Sequence, residues 1–148
     1  MNRRSLLCLI MPALLLPMVA SQASAQTTLV ADIPFDFTIC REQLPAGKYR
    51  VERMSATSTN LLLVRGEDNR PSEIACTRDV QSTKRSDTAK LIFNRYGDQY
   101  FLSEIWLPGR TIGNELVKSE REVALLKELP ARKKRERVNI KITEAKPN

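Results

Sequence analysis

The chain has 148 residues, with 24 Lys plus Arg, 17 Asp plus Glu, three Cys and no His. That length accommodates one ordinary domain. The absence of imidazole excludes Ser-His-Asp and Cys-His catalysis and every His-ligated zinc or haem, so no catalytic, metal or cofactor residue is assigned on those grounds.

The chain opens with two positive charges, Arg3 and Arg4, followed by an uncharged run over 5–20 and the small residues Ala23 and Ala25. This order predicts a signal peptide over 1–25, cleaved after Ala25, and export to the periplasm or the extracellular space. The uncharged run of 16 residues contains Pro12 and Pro17 and is shorter than the roughly 18–20 needed to span a bilayer. No transmembrane segment is expected in the mature chain, 26–148. That chain keeps 22 basic residues (24 less Arg3 and Arg4) and all 17 acidic ones. Residues 26–117 carry 12 of each sign, and 118–148 carry 10 basic against 5 acidic. The surplus of positive charge is therefore C-terminal.

Along the mature chain, Ile33, Phe35, Phe37 and Ile39 alternate with Pro34, Asp36 and Thr38, the period of a half-buried strand. Pro34 lacks an amide donor, which places the strand at an edge or on a bulge. Leu44-Pro45-Ala46-Gly47 predicts a turn, followed by a strand with Tyr49 and Val51 inward. A polar loop is expected over 55–60, a short strand over 61–65 stopped by 66–71, and a strand over 72–80 with Ile74, Cys76 and Val80 on one side. Residues 81–89 read as a polar loop. The hairpin is the best-defined unit: 90–95 and 99–107 flank Tyr96-Gly97-Asp98, and Gly97 supplies the positive φ of a tight turn. With Gly97-Asp98 as the loop, Phe93 opposes Leu102. Leu91, Tyr100 and Trp106 then share one face, and Ile92, Phe101 and Ile105 the other. Apolar groups on both faces predict a central hairpin covered on both sides.

Ser119-Glu120-Arg121-Glu122 fits a capping box for a helix over 119–129, with an apolar stripe of Val123, Leu125, Leu126 and Leu129 and a stop at Pro130. A basic connector, 131–137, leads to a last strand over 138–143. Successive strands without intervening helices predict a mainly β domain: an antiparallel β-sandwich or small barrel of about six or seven strands, with one helix in the C-terminal region.

Two segments carry a resemblance: Ile-Pro-Phe-Asp-Phe (33–37) with Leu-Pro-Ala-Gly-Lys-Tyr-Arg-Val (44–51), and Phe-Asn-Arg-Tyr-Gly-Asp-Gln-Tyr-Phe-Leu-Ser-Glu-Ile-Trp (93–106). Together with the signal peptide and the short charged helix, the chain resembles a family of small exported bacterial proteins of unknown function. The resemblance implies export and a β-rich domain and brings no catalytic residues. Cys40 stands where such proteins have a small residue.

Cys40 and Cys76 survive cleavage into an oxidising compartment, which makes them a candidate disulfide; two unrelated buried thiols are the alternative. Arg132, Lys133, Lys134, Arg135 and Arg137 form a candidate anion-binding segment, with a solvated connector as the plainer reading. The five glycines are dispersed, so there is no nucleotide-binding loop. The partner expected is an anionic envelope component or another protein, and not nucleic acid. Two functions are compatible with these features: a non-catalytic binding or structural module of the cell envelope, or a small hydrolase using carboxylates or a Ser-Lys pair.

Overall fold

A computed structural model describes residues 28–55, 60–129 and 135–144. The expected signal peptide, residues 56–59 of the polar loop, and Arg132, Lys133 and Lys134 lie outside them.

The protein is mainly β, with strands β1 (Leu29–Ile33), β2 (Phe37–Ile39), β3 (Glu42–Leu44), β4 (Gly47–Arg53), β5 (Leu61–Gly66), β6 (Glu73–Gln81), β7 (Lys90–Tyr96), β8 (Gln99–Trp106) and β9 (Ile112–Leu116). Among the described residues one helix, α1 (Glu120–Glu128), precedes β10 (Glu136–Lys141) and β11 (Thr143–Glu144). The strands form one 11-stranded sheet in the order β10-β7-β8-β9-β6-β5-β4-β1-β11, with β2 paired to β3 and β8 off this path. This replaces the expected six or seven strands, and the pairing is one large sheet rather than the two sheets of a sandwich. The one parallel contact among the described residues is Thr38 opposite Phe101. No pairing joins β10 to β11, yet only Ile142 separates them along the chain.

The alternating run at 33–39 is two strands, not one. Pro34 cannot donate to a ladder, and the chain leaves β1 there. Asp36 then anchors the bend, its carboxylate accepting from the Ala46 amide at 2.8 Å. The predicted inward positions of β4 are met: Tyr49 and Val51 are buried, and the Tyr49 hydroxyl donates to the Pro45 carbonyl at 2.7 Å. β6 faces the other way from expectation. Ala75 and Thr77 are buried, while Ile74 is 45% exposed and Cys76 lies at the surface. The inward hydroxyl of Thr77 is matched, donating to the Asn60 carbonyl at 3.3 Å and accepting from Asn114 Nδ2 at 3.1 Å.

The hairpin turns at Gly97-Asp98, with Tyr96 opposite Gln99 and Phe93 opposite Leu102. The register then shifts between Ile92 and Phe93, so that Ile92 opposes Glu104 and Leu91 opposes Ile105. Ser103 is the extra residue. A one-residue bulge inverts every side chain beyond it, so Ile105 joins Leu91, Phe93 and Leu102 in the core and Trp106 moves to the opposite face. The core cluster draws Leu29, Ile33, Tyr49 and Val64 from one half of the sheet order, Leu91, Phe93 and Ile105 from the other, and Phe37 from β2, off that path. The sheet is therefore curled around one interior. Phe37 meets Tyr49 and Phe93 edge-on, with ring centroids 5.1 and 5.5 Å apart.

Ser119 caps α1 as predicted, its hydroxyl accepting from the Glu122 amide at 3.1 Å. The other half of the capping box is absent. The Glu122 carboxylate is buried and accepts from Asn94 Nδ2 at 2.9 Å and the Tyr96 hydroxyl at 3.0 Å. The helix thus sits on the outer face of the hairpin tip through a polar contact, and Val123 and Leu126 of its expected apolar stripe are exposed.

Candidate functional site

The outer face of β7 and β8 is where the bulge delivers Trp106. Gly113 of β9 lies beneath it, because β8 and β9 pair with Glu104 opposite Glu115 and Ile105 opposite Asn114. The indole covers Gly113 so closely that a Cβ there would stand 2.7 Å from Trp106 Cδ2. Trp106 Nε1 donates to Glu104 Oε2 at 2.8 Å, and the other oxygen of Glu104 accepts from Arg137 Nη2. Glu104 also faces Glu115 across β8–β9. Each carboxylate of that pair has its own cation: Arg137 for Glu104, and Arg78 for Glu115 at 3.0 Å.

The polar stretch 82–89 forms a wall beside this face. It is laced to 109–111 by main-chain bonds: Ser82 N to Thr111 O at 2.8 Å, Ser86 N to Arg110 O at 3.1 Å, and Gly109 N to Ser86 O at 2.8 Å. Ser86 is buried, with its hydroxyl donating to the Thr88 carbonyl at 2.7 Å. The Ser82 hydroxyl accepts from the Lys84 amide at 3.2 Å. These bonds fix the loop and leave Lys84 and Arg85 exposed on it.

Between wall and sheet is a cavity of about 410 Å³, floored by Ile92 and Trp106 and edged by Lys84, Arg85, Lys90 and Arg137. Its four cations face two carboxylates, Asp87 and Glu104. With Glu104 satisfied by Arg137, three cations remain against Asp87 alone. Lys84, Arg85 and Lys90 form no ion pair among the described residues. Lys90 also stands directly opposite Lys141 on β10, an arrangement of like charges that is unfavourable until an anion joins it. The hydroxyls in the lining are those of Ser82, Ser86 and Thr88.

The expected anion-binding segment contributes to this site only in part. Arg137 forms one edge, and Arg135 is exposed outside the cavity lining. Lys84, Arg85 and Lys90 were not singled out by sequence, because they sit in a charge-balanced body; the adjacent Lys84-Arg85 in a polar loop was the available signal. At the hairpin tip, Asp98 occupies the turn, and Arg95 reaches the Gly97 carbonyl at 2.8 Å and Glu136 at 3.4 Å.

The expected disulfide is not formed: Cys40 and Cys76 are free thiols. Cys40 sits in the turn between β2 and β3 at φ 52 and directs its sulfur at the main chain of β6, donating to the Ile74 carbonyl at 3.8 Å. Cys76 points to the surface. Burial pushes the Cys40 thiol up, against a smaller opposing effect of a hydrogen bond from the Cys76 main chain. Among the described residues no group of three or more Cys, Asp or Glu is placed to hold a metal ion, and no helix is long and apolar enough to cross a membrane. No family model, curated protein or solved structure matches the chain.

Proposed function

We propose that the mature chain is a non-catalytic binding module of the bacterial cell envelope, exported to the periplasm or beyond, and that it holds an anionic envelope component on the outer face of β7 and β8. One observation carries this reading: Lys84, Arg85, Lys90 and Arg137, scattered over more than fifty positions of sequence, converge on one cavity. Lys84, Arg85 and Lys90, which form no ion pair among the described residues, raise the local potential and draw anions from solution. The charge order of the first 25 residues supports export.

Cosedimentation of residues 26–148 with vesicles tests the binding. The protein is expected to pellet with phosphatidylglycerol vesicles and not with phosphatidylcholine vesicles, and the binding should weaken as salt shortens the screening length below about 10 Å. Replacing Lys84, Arg85 and Lys90 by Gln should abolish the difference. Equal binding to both vesicles, or binding indifferent to the three substitutions, overturns the reading. Intact mass of exported material tests the other half, with a chain beginning at Gln26 expected and a retained Met1 overturning it.

A further inference from the structure

We infer that the cavity beside Trp106 takes a phosphorylated sugar, its phosphate held by Lys84, Arg85 and Lys90 and its ring lying on Ile92 and Trp106. The inference rests on the anion-binding reading and narrows it. The cation excess in the cavity is two, the charge of a fully ionised phosphate monoester. The Lys90–Lys141 opposition is relieved by such a dianion and hardly by a neutral group. A free phosphate, however, occupies only a small part of about 410 Å³, and ligand sites of this size commonly enclose a small organic molecule.

The rest of the lining suits hydroxyls. Asp87 and Glu104 are acceptors, and Ser82 and Thr88 add side-chain oxygens. The Ser82 oxygen already accepts from the Lys84 amide, which leaves its own proton available to donate. Glu104 is held in place by Trp106 and Arg137, so a sugar hydroxyl meets a fixed acceptor rather than one that must first be ordered. A lipid tail has no comparable apolar channel here, since four charged side chains form the cavity edge. The same phosphosugar chemistry can come from a free sugar phosphate or from the headgroup of an envelope glycolipid.

Trp106 is the sole tryptophan, so its emission and its indole N–H resonance report the cavity directly. Titration of residues 26–148 uses glucose 1-phosphate, inorganic phosphate, glucose and glucuronate, with vesicles of phosphatidylcholine doped with a phosphorylated glucosamine lipid as a separate arm. Saturable perturbation of Trp106 by glucose 1-phosphate is expected, with at least about tenfold tighter binding than for the other three soluble probes. Lys84→Gln with Arg85→Gln should weaken it about tenfold or more. Both positions are exposed, and unchanged melting of this variant confirms that folding is intact. Arg121→Gln with Lys127→Gln, on α1, should leave binding as in the parent. Response to the doped vesicles as well as the soluble ester supports the chemistry and assigns a glycolipid source; response to the ester alone supports it with a free source.

Inorganic phosphate binding as tightly as the ester overturns the sugar half. Glucuronate binding as tightly overturns the phosphate half. Binding that ignores Lys84 and Arg85 overturns the site. Each of these leaves the anionic-vesicle result standing, whereas failure of every anion, phosphatidylglycerol vesicles included, removes the broader reading too.

Discussion

Tyr96 buries its hydroxyl against Glu122 at 3.0 Å, and burial, with that hydrogen bond next, pushes its phenol up to about 12. In the unfolded chain it ionises near 10. Below that value both states keep the proton and the full contribution is present. As pH rises from about 10 to about 12 the unfolded chain alone gives up its proton, so stability falls by about 2–3 kcal/mol. Urea denaturation of the parent and Tyr96→Phe across this window isolates the effect, because the other titrating groups are common to both. The stability gap should close by about that amount, and parallel curves would contradict it. At Gly113 the constraint is steric. Alanine there would press its Cβ into the indole, and overpacking of this kind costs about 1–3 kcal/mol. Gly113→Ala should melt lower and shift the emission of Trp106, while an unchanged emission maximum would show that the ring does not rest on this glycine.

At the scale of the element, the hairpin shows what local chemistry can and cannot specify. Its turn was legible because Gly97 adopts φ 63, a conformation few residues other than glycine accept, and the pairing of Phe93 with Leu102 follows from that turn alone. The bulge at Ser103 was not legible. Ser103 has no property that distinguishes a bulged from an unbulged strand, and the inversion is forced by packing, which draws Ile105 inward. The same limit governed β6, where Ala75 and Thr77 faced the core although Ile74 and Cys76 are the more apolar pair. It also governed Glu122, whose place in the capping motif was readable but whose partners, Asn94 and Tyr96, lie on a distant strand. The cavity depends on the bulge, since Trp106 and Glu104 share the outer face because of it. Deleting Ser103 should remove the bulge and leave Glu104 and Trp106 on the outer face and Ile105 inward, because Leu102 already opposes Phe93 and Glu104 already opposes Ile92. The expected change in stability is about 1 kcal/mol or less, measured by urea denaturation, with the glucose 1-phosphate response kept. A deletion variant that unfolds at much lower urea or loses the Trp106 response would show that the bulge itself holds the outer face in shape.

The whole molecule depends on its final stretch. Residues 136–144 supply both ends of the strand order: β10 pairs along β7 from Glu136–Arg95 to Lys141–Lys90, and β11 pairs with β1. Val138 and Ile140 pack on the core and Ile142 is buried within it. The class of the fold was legible from successive alternating segments, and so was a last strand near 138–143. That one segment would bond to two strands about sixty residues apart was not, because pairing partners leave no mark on local periodicity. This placement separates two roles that the sequence merges in 131–148. A chain ending at residue 134 loses three apolar side chains worth roughly 1–3 kcal/mol each when buried, against a total stability of about 5–15 kcal/mol for a domain. It also leaves β7 and β1 with unpaired edges, which promote association between chains. Such a chain should show no cooperative melt and should elute as aggregate, so its failure to bind an envelope component would say nothing about charge. Replacing Arg132, Lys133 and Lys134 by Gln leaves every residue of β10 and β11 in place and should alter stability by about 0.5 kcal/mol or less. Calorimetry of the two variants decides the point: a cooperative, parent-like melt from the chain ending at 134 would mean that the sheet stands without its last strands.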